Sequence, residues 1–271
     1  MTSQAERDAR VAEAAEAWLA DPMKRSLYGE LLSAVRSRQS ATGTPATLPP
    51  AAAPPSAPTV TSSLRATGPK RHRDPDFLAL KQRRLREEHV APLQALVDEI
   101  RQERDTVSVP YVDPDSGGVG ARVLFILESP AGPAALGSGM LSPDNDDETA
   151  ANMWRLYEQA GLPRSAVLHW NAVPWYVGED GKEKNVSPGD VLEGGLWLDR
   201  LLNLLPDLRL VVTMGKPAEK AFKTYSAARD GQHADWVACL HPSPRNKATR
   251  PERWPEIEAV FERAAEVAAT S

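Results

Sequence analysis

Hydrophobic positions in the second half of the chain gather into short apolar runs separated by longer stretches that read as helices. Four runs have strand character: Arg122–Leu127 (RVLFIL), Val167–Asn171 (VLHWN), Arg209–Thr213 (RLVVT) and Trp236–Leu240 (WVACL). Helices are expected over Glu148–Ala160, Pro188–Leu204, Pro217–Tyr225 and Pro251–Ala268, with a further one from about Ala91 to Arg104. Short apolar strands that alternate with helices imply a parallel sheet covered on both faces. The fold class expected is therefore α/β, a three-layer α/β/α domain around a central four-stranded parallel sheet, closed by right-handed crossovers.

The first part of the chain patterns differently. Residues 3–39 read as helical, Ala/Glu/Arg-rich at first, with a break near Asp21-Pro22 and then Leu27, Leu31, Leu32 and Val35 at helical spacing. From Ser40 to Pro69 the composition turns to Pro, Ala, Thr and Ser with almost no charge. Such a segment cannot bury enough apolar surface to offset its ordering entropy, so a disordered linker is expected there. The domain reading is a helical N-terminal extension (1–39), a linker (40–69) and an α/β domain (70–271). The extension reads as a tethered accessory or docking element, the latter for a protein partner.

A basic block, Lys70–His89, opens the α/β domain with Lys70, Arg71, Arg73, Lys81, Arg83, Arg84 and Arg86. Two readings stand: a solvated helix face, or a contact with a phosphate backbone.

Composition narrows the classes. The net charge of −5 argues against a surface coated for nucleic acid, but leaves room for a local basic footprint. The single cysteine, Cys239, excludes an internal disulfide and any four-cysteine zinc or iron–sulfur site; in an apolar strand it reads as an inert thiol. No run approaches 18 apolar residues and no signal peptide is apparent, so a cytoplasmic, nucleoid-associated protein without membrane contact is expected. No metal or other cofactor is expected. The acidic stretch Asp144, Asp146, Asp147 and Glu148 lacks the glycine and spacing of a calcium loop. It reads as helix capping, with a role beside a pocket left open.

Ligands of open parallel sheets bind outside the carboxyl ends of the strands. Each expected strand delivers chemistry to that edge: Glu128-Ser129-Pro130-Ala131-Gly132 after the first, Asn171 and Ala172-Val173-Pro174-Trp175 at the second, Met214-Gly215-Lys216 at the third, His241-Pro242-Ser243-Pro244 at the fourth. The prolines stiffen the last turn and hold His241 in one place. Together the four turns predict a pocket with an amide, an imidazole, a carboxylate and hydroxyls. His169 and Trp170, inside a strand, read as core. Trp175 reads as packing, or alternatively as a platform beside Asn171.

Three of these segments, WNAVPW, MGKPAEKAF and HPSPRN, resemble signature segments of the uracil-DNA glycosylase superfamily in order and spacing. LESPAGP stands where that superfamily has its first, water-activating motif. The resemblance covers about Arg122 to Arg263, roughly half the chain. It implies a metal-independent, monomeric base-excision enzyme that cleaves the N-glycosidic bond of uracil or a related deaminated base in DNA, leaving an abasic site. Asn171 would read the flipped base, since an amide offers an imide edge both donor and acceptor. His241 would donate to the base O2 as negative charge develops. Pro130, Ala131, Gly215, Ser243 and Arg245 would complete the contacts with substrate and DNA backbone.

The chain departs from the family pattern in three places. Ser129 stands where many members carry a water-activating Asp, and Glu128 beside it is an alternative for orienting water. No aromatic for stacking the base occurs at Met140-Leu141-Ser142, and Arg245 replaces a leucine wedge. Two rivals follow: a non-catalytic DNA-binding module on the same fold, and a serine hydrolase using Ser129 and His241. For the latter, Leu127 and Ala131 occupy the glycine positions of a nucleophile elbow.

Overall fold

The computed structural model describes Glu6, Ala9 and Arg10, all helical, and then residues 68–179, 182–183, 185–227 and 234–270. The chain divides into two units, Met1–Thr67 and Gly68–Ser271. The helical extension and the linker up to residue 67 otherwise lie outside the described residues.

The second unit opens with helices α1 (Pro75–Arg83) and α2 (Ala91–Glu103), followed by the two-residue strand β1 (Tyr111–Val112). Next come β2 (Val123–Leu127), a π-helical segment Pro133–Ser138, β3 (Met140–Leu141), α3 (Glu148–Ala160) and β4 (Val167–Asn171). A small hairpin β5 (Gly178–Glu179) and β6 (Lys182–Glu183) leads to α4 (Pro188–Leu202), β7 (Leu210–Met214), α5 (Lys216–Ala227) and β8 (Asp235–Cys239). The short α6 (Pro244–Thr249) and the long α7 (Trp254–Ala269) close the fold.

β4, β2, β7 and β8 form one fully parallel sheet in that order. Helices cover both faces. Leu124, Ile126, Leu168, Trp170 and Val211 pack with α2, α4 and α5, whereas Val123, Phe125, Val167, Leu210 and Val212 pack with α3 and α7. This alternation explains why the strands read as unbroken apolar runs: each successive side chain finds a different core. Phe125 stacks on Phe261 with ring centroids 4.9 Å apart. A large apolar side chain buried this completely contributes roughly 1.5–3 kcal/mol. The edge strand β8 differs, with Asp235 and Ala238 exposed.

The three-layer α/β/α class and the four strands stand as the sequence implies, with edges shifted by a residue. Additions that are not legible in the sequence include the hairpin β5–β6 and the short α6. Likewise, β1 pairs with β3 in parallel, and the π-helical segment fills the expected loop after β2. Two-residue strands carry no periodicity to detect.

Candidate active site at the carboxyl edge of the sheet

Strand order sets the place of the site. The chain runs from β2 outward to β4, then crosses back to β7 and on to β8. The switch of direction lies beside β2, where open α/β sheets hold their ligands. Register sets the level. Leu127 pairs with Asn171, Ile126 with Thr213, and Thr213 with Ala238. Ser129, Asn171, Gly215 and His241 therefore all emerge within three residues of one level.

There they border a cavity of about 130 Å³, lined by Leu127, Ser129, Pro130 and Ala131 after β2, by His169, Trp170 and Asn171 of β4, and by His241. Its other wall comes from Leu141, Ser142, Pro143, Asn145 and Asp147, and from Thr149, Ala150 and Met153 of α3. Leu141 and Met153 give that wall an apolar, non-aromatic surface.

Asn171 is only 3% exposed, and its Oδ1 has no hydrogen-bond partner among the described residues. Leaving a buried polar atom unmatched costs roughly 1–3 kcal/mol, a cost that a ligand group or a water at Asn171 Oδ1 would relieve. His241 is half-buried, and burial pushes its imidazole below its ordinary value, which leaves it neutral near pH 7.

The turn that carries His241 is tied at every step. Asn246 donates its side-chain amide to the His241 carbonyl at 2.9 Å, and Asn152 donates to the Pro242 carbonyl at 2.9 Å. Ser243 caps α6, its Oγ accepting from the Asn246 N–H at 3.3 Å. Gly215 adopts φ +93° and donates its N–H to the Cys239 carbonyl at 2.8 Å. A Cβ at Gly215 would stand 3.2 Å from His241 Cβ, so the glycine lets the imidazole-bearing turn close against the end of β7.

The remaining sequence-derived candidates separate. Ser129, Pro130 and Ala131 line the cavity with Asn171 and His241. Glu128 is not among the lining residues; its backbone carbonyl accepts from Val173 N–H at 2.9 Å, extending the β2–β4 ladder. Gly215 buttresses His241 from outside the cavity. Ser243 and the exposed Arg245 sit at the start of α6, beyond the rim, with Lys247 and Arg250 exposed nearby. Ser129 and His241 share the cavity, but no hydrogen bond joins them among the described residues.

The far wall rests on a buried ion cluster. Lys81 of α1, 1% exposed, reaches Asp113 and Asp144 at 2.7 Å and Asp115 at 3.0 Å. Burial works against its charge, yet the three carboxylates keep its pKa raised. Arg164 grips Asp144 with two hydrogen bonds, of 2.7 and 3.1 Å. Burial alone would raise the Asp144 carboxyl, but Arg164 and Lys81 hold it at about 2. Asn145 is fixed in turn: His72 Nδ1 and Ser138 Oγ meet its Oδ1 at 2.8 and 2.6 Å, and its amide donates to the Met140 carbonyl at 2.9 Å.

The acidic stretch thus divides its work. Asp147 caps α3, accepting from Ala150 N–H at 2.8 Å, and Glu148 opens its first turn. Asp144 is an internal counter-ion. Asp146 pairs with Arg73 at 2.7 Å.

The basic block is also largely engaged within the protein. Lys81 is buried, Lys70 pairs with Glu148, Arg84 with Glu87 and Asp115, and Arg86 with Asp98. Acidic loops opposite α1 take up charges that the sequence alone leaves free for phosphate. Trp175 is packing: it is 3% exposed, donates to Asp190 at 3.0 Å and lies under the Arg104 guanidinium, 3.6 Å away. Burial pushes the Cys239 thiol up to about 12, so it is a poor nucleophile.

His169, which its place inside a strand marks as core, is also a cavity residue. Its Nε2 meets Tyr157 Oη at 2.8 Å, and burial lowers the imidazole to about 4. It was traceable by parity: His169 and Asn171 are two residues apart and share a face of β4. Among the described residues no three His, Cys, Asp or Glu are grouped to hold a metal, and no helix is long and apolar enough to cross a membrane.

A parallel sheet whose strand ends bring an unmatched amide oxygen and a burial-lowered imidazole to one cavity defines an α/β protein with a candidate ligand site at the carboxyl edge. The family model of the Uracil DNA glycosylase superfamily matches residues 105–264, and the chain belongs to that superfamily. Membership makes it a DNA-directed protein of the glycosylase class, hydrolases of base-excision repair. A search of curated proteins found no match.

Proposed function

We propose that the protein excises uracil or a related deaminated base from DNA, leaving an abasic site. The unmatched Asn171 Oδ1 carries this reading: it is buried, and Asn171 lines the same cavity as the His241 imidazole that the reaction needs. A base inside a duplex is out of reach, so the nucleotide swings out into the cavity. Asn171 then receives a donor of the base edge at Oδ1 and offers its amide N–H to an acceptor. As the C1′–N bond opens, negative charge collects on the base, and His241, neutral and held by its tied turn, donates to the base O2. Arg245 fills the gap left by the flipped base, and Ser243 with the exposed cations around α6 meets the phosphates.

Action as a monomer is part of this proposal. Such an enzyme works where DNA is, in the cytoplasm at the nucleoid, and residues 1–39 are the segment we assign to a protein partner. The serine-hydrolase reading is disfavoured by the missing Ser129–His241 hydrogen bond and by Leu127 and Ala131 at the elbow positions. A non-catalytic DNA-binding module remains the rival to test.

The test is a panel of labelled oligonucleotides, single- and double-stranded, carrying one uracil, hypoxanthine or xanthine. After incubation, alkali cleaves any abasic site. Strand scission at the modified position is the expected result. Tight binding without scission on every substrate would replace the enzyme with the binding module.

A further inference from the structure

Hydrolysis of an N-glycosidic bond needs a water at the sugar carbon, and that water attacks faster when a carboxylate takes its proton. Of the described residues lining the cavity, one carries a carboxylate: Asp147. Glu128 is not among them, and Ser129 offers a hydroxyl with no base bonded to it. Asp147 reaches the cavity from the opposite wall to the strand ends, at the cap of α3. Its Oδ1 accepts from Ala150 N–H at 2.8 Å, which fixes the side chain. A carboxylate has about four acceptor positions, so a capped one can still hold a water.

We propose that Asp147 holds the attacking water and accepts its proton, making it a catalytic residue supplied by a helix cap rather than by the turn after β2. The inference rests on the glycosylase reading above. The water oxygen forms the new bond to C1′ while the C1′–N bond breaks, its electron pair leaving with the base. One water proton passes to Asp147. The departing base anion is held by the His241 hydrogen bond until it is protonated from solvent, and Asp147 returns its proton to solvent.

Electrostatics fit this role. Burial raises Asp147 above the ordinary carboxylate value, and the nearby Asp146 adds to the rise. The N–H groups of Ala150 and Thr149 and the Lys70 charge pull the other way. The other titratable groups facing the cavity are His169 and His241, both lowered by burial.

The experiment is single-turnover excision by the full chain, on whichever base the substrate panel identifies, with Asp147→Asn and Asp147→Ser. Both variants keep an oxygen to cap α3. We expect the rate to fall by ~10²–10⁴-fold. Affinity for an oligonucleotide with a tetrahydrofuran abasic analogue and the melting temperature should stay at wild-type values. In the wild type the rate should decline as pH drops through the raised Asp147 value, and this acid limb should vanish in Asp147→Asn. A wild-type rate in Asp147→Asn, or a slower rate with the acid limb intact, overturns the assignment while leaving the glycosylase intact. Absence of excision by the wild type on every base overturns both.

Discussion

Asn171 and His241 are the two residues on which the account turns, and they were legible for different reasons. Asn171 ends an apolar strand where nothing in the core calls for an amide. His241 stands in a proline-locked turn that ordinary loop chemistry does not require. Their meeting at one cavity needed the strand order, which no local pattern encodes. Ser129 is legible as an irregularity, whereas the carboxylate on the opposite wall shows in the sequence only as a helix cap with a pocket-side role left open. Asp147 carries the signature of a helix cap, and a cap reads the same whether it faces solvent or a cavity. Gly215 allows a prediction at this scale. Alanine there meets a left-handed φ of +93° and places a Cβ 3.2 Å from that of His241. Gly215→Ala should cost about 1–3 kcal/mol in urea unfolding and slow excision by more than that loss accounts for at saturating DNA, because the His241 turn is displaced. An unchanged rate would show that the glycine only serves the turn.

At the scale of elements, the wall opposite the strand ends depends on helix α1. Its charge pattern was visible in the sequence, but its direction was not. Lys81 lies among residues that read as a solvated face or as a contact with a phosphate backbone, and only the acidic loops around Asp113, Asp115 and Asp144 turn it inward. Removing one partner of a buried ion cluster leaves its counter-charges stranded, which costs about 3–5 kcal/mol. Lys81→Met should therefore lower the denaturant midpoint severely, whereas loss of the exposed Arg86–Asp98 pair should cost at most ~1 kcal/mol. Equal effects of Lys81→Met and Arg86→Ala would contradict the role given to this cluster. The same cluster sets an acid limit. The fold holds the Asp144 carboxyl at about 2 against an ordinary 3.8, so its folded pKa is depressed. Its contribution is complete above the ordinary value and is lost as pH falls through about 2. That contribution is roughly 2 kcal/mol. The stability gap between wild type and Asp144→Asn should narrow across that window, as read by urea midpoints; a gap constant with pH would exclude the linkage.

At the scale of the whole molecule, the parallel sheet was the most legible feature, because strands buried on both faces leave continuous apolar runs and helices between them. The functional edge followed from the rule that such sheets bind at their carboxyl ends. The level at which the four turns meet, and the far wall built by Leu141–Met153, came only with the register and the packing of α3. Family membership fits this architecture, and the proposed chemistry fits the cavity. The most direct test of the central claim is the single-turnover release of uracil from a labelled oligonucleotide by wild type, Asn171→Ala and His241→Ala. Abasic-site formation by the wild type is expected, and for His241→Ala a rate lower by ~10²–10³-fold, corresponding to about 3–4 kcal/mol of lost transition-state stabilisation. A comparable loss is expected for Asn171→Ala, with DNA affinity largely kept in both. Wild-type rates in both variants would contradict the claim that this cavity is where the base is cut.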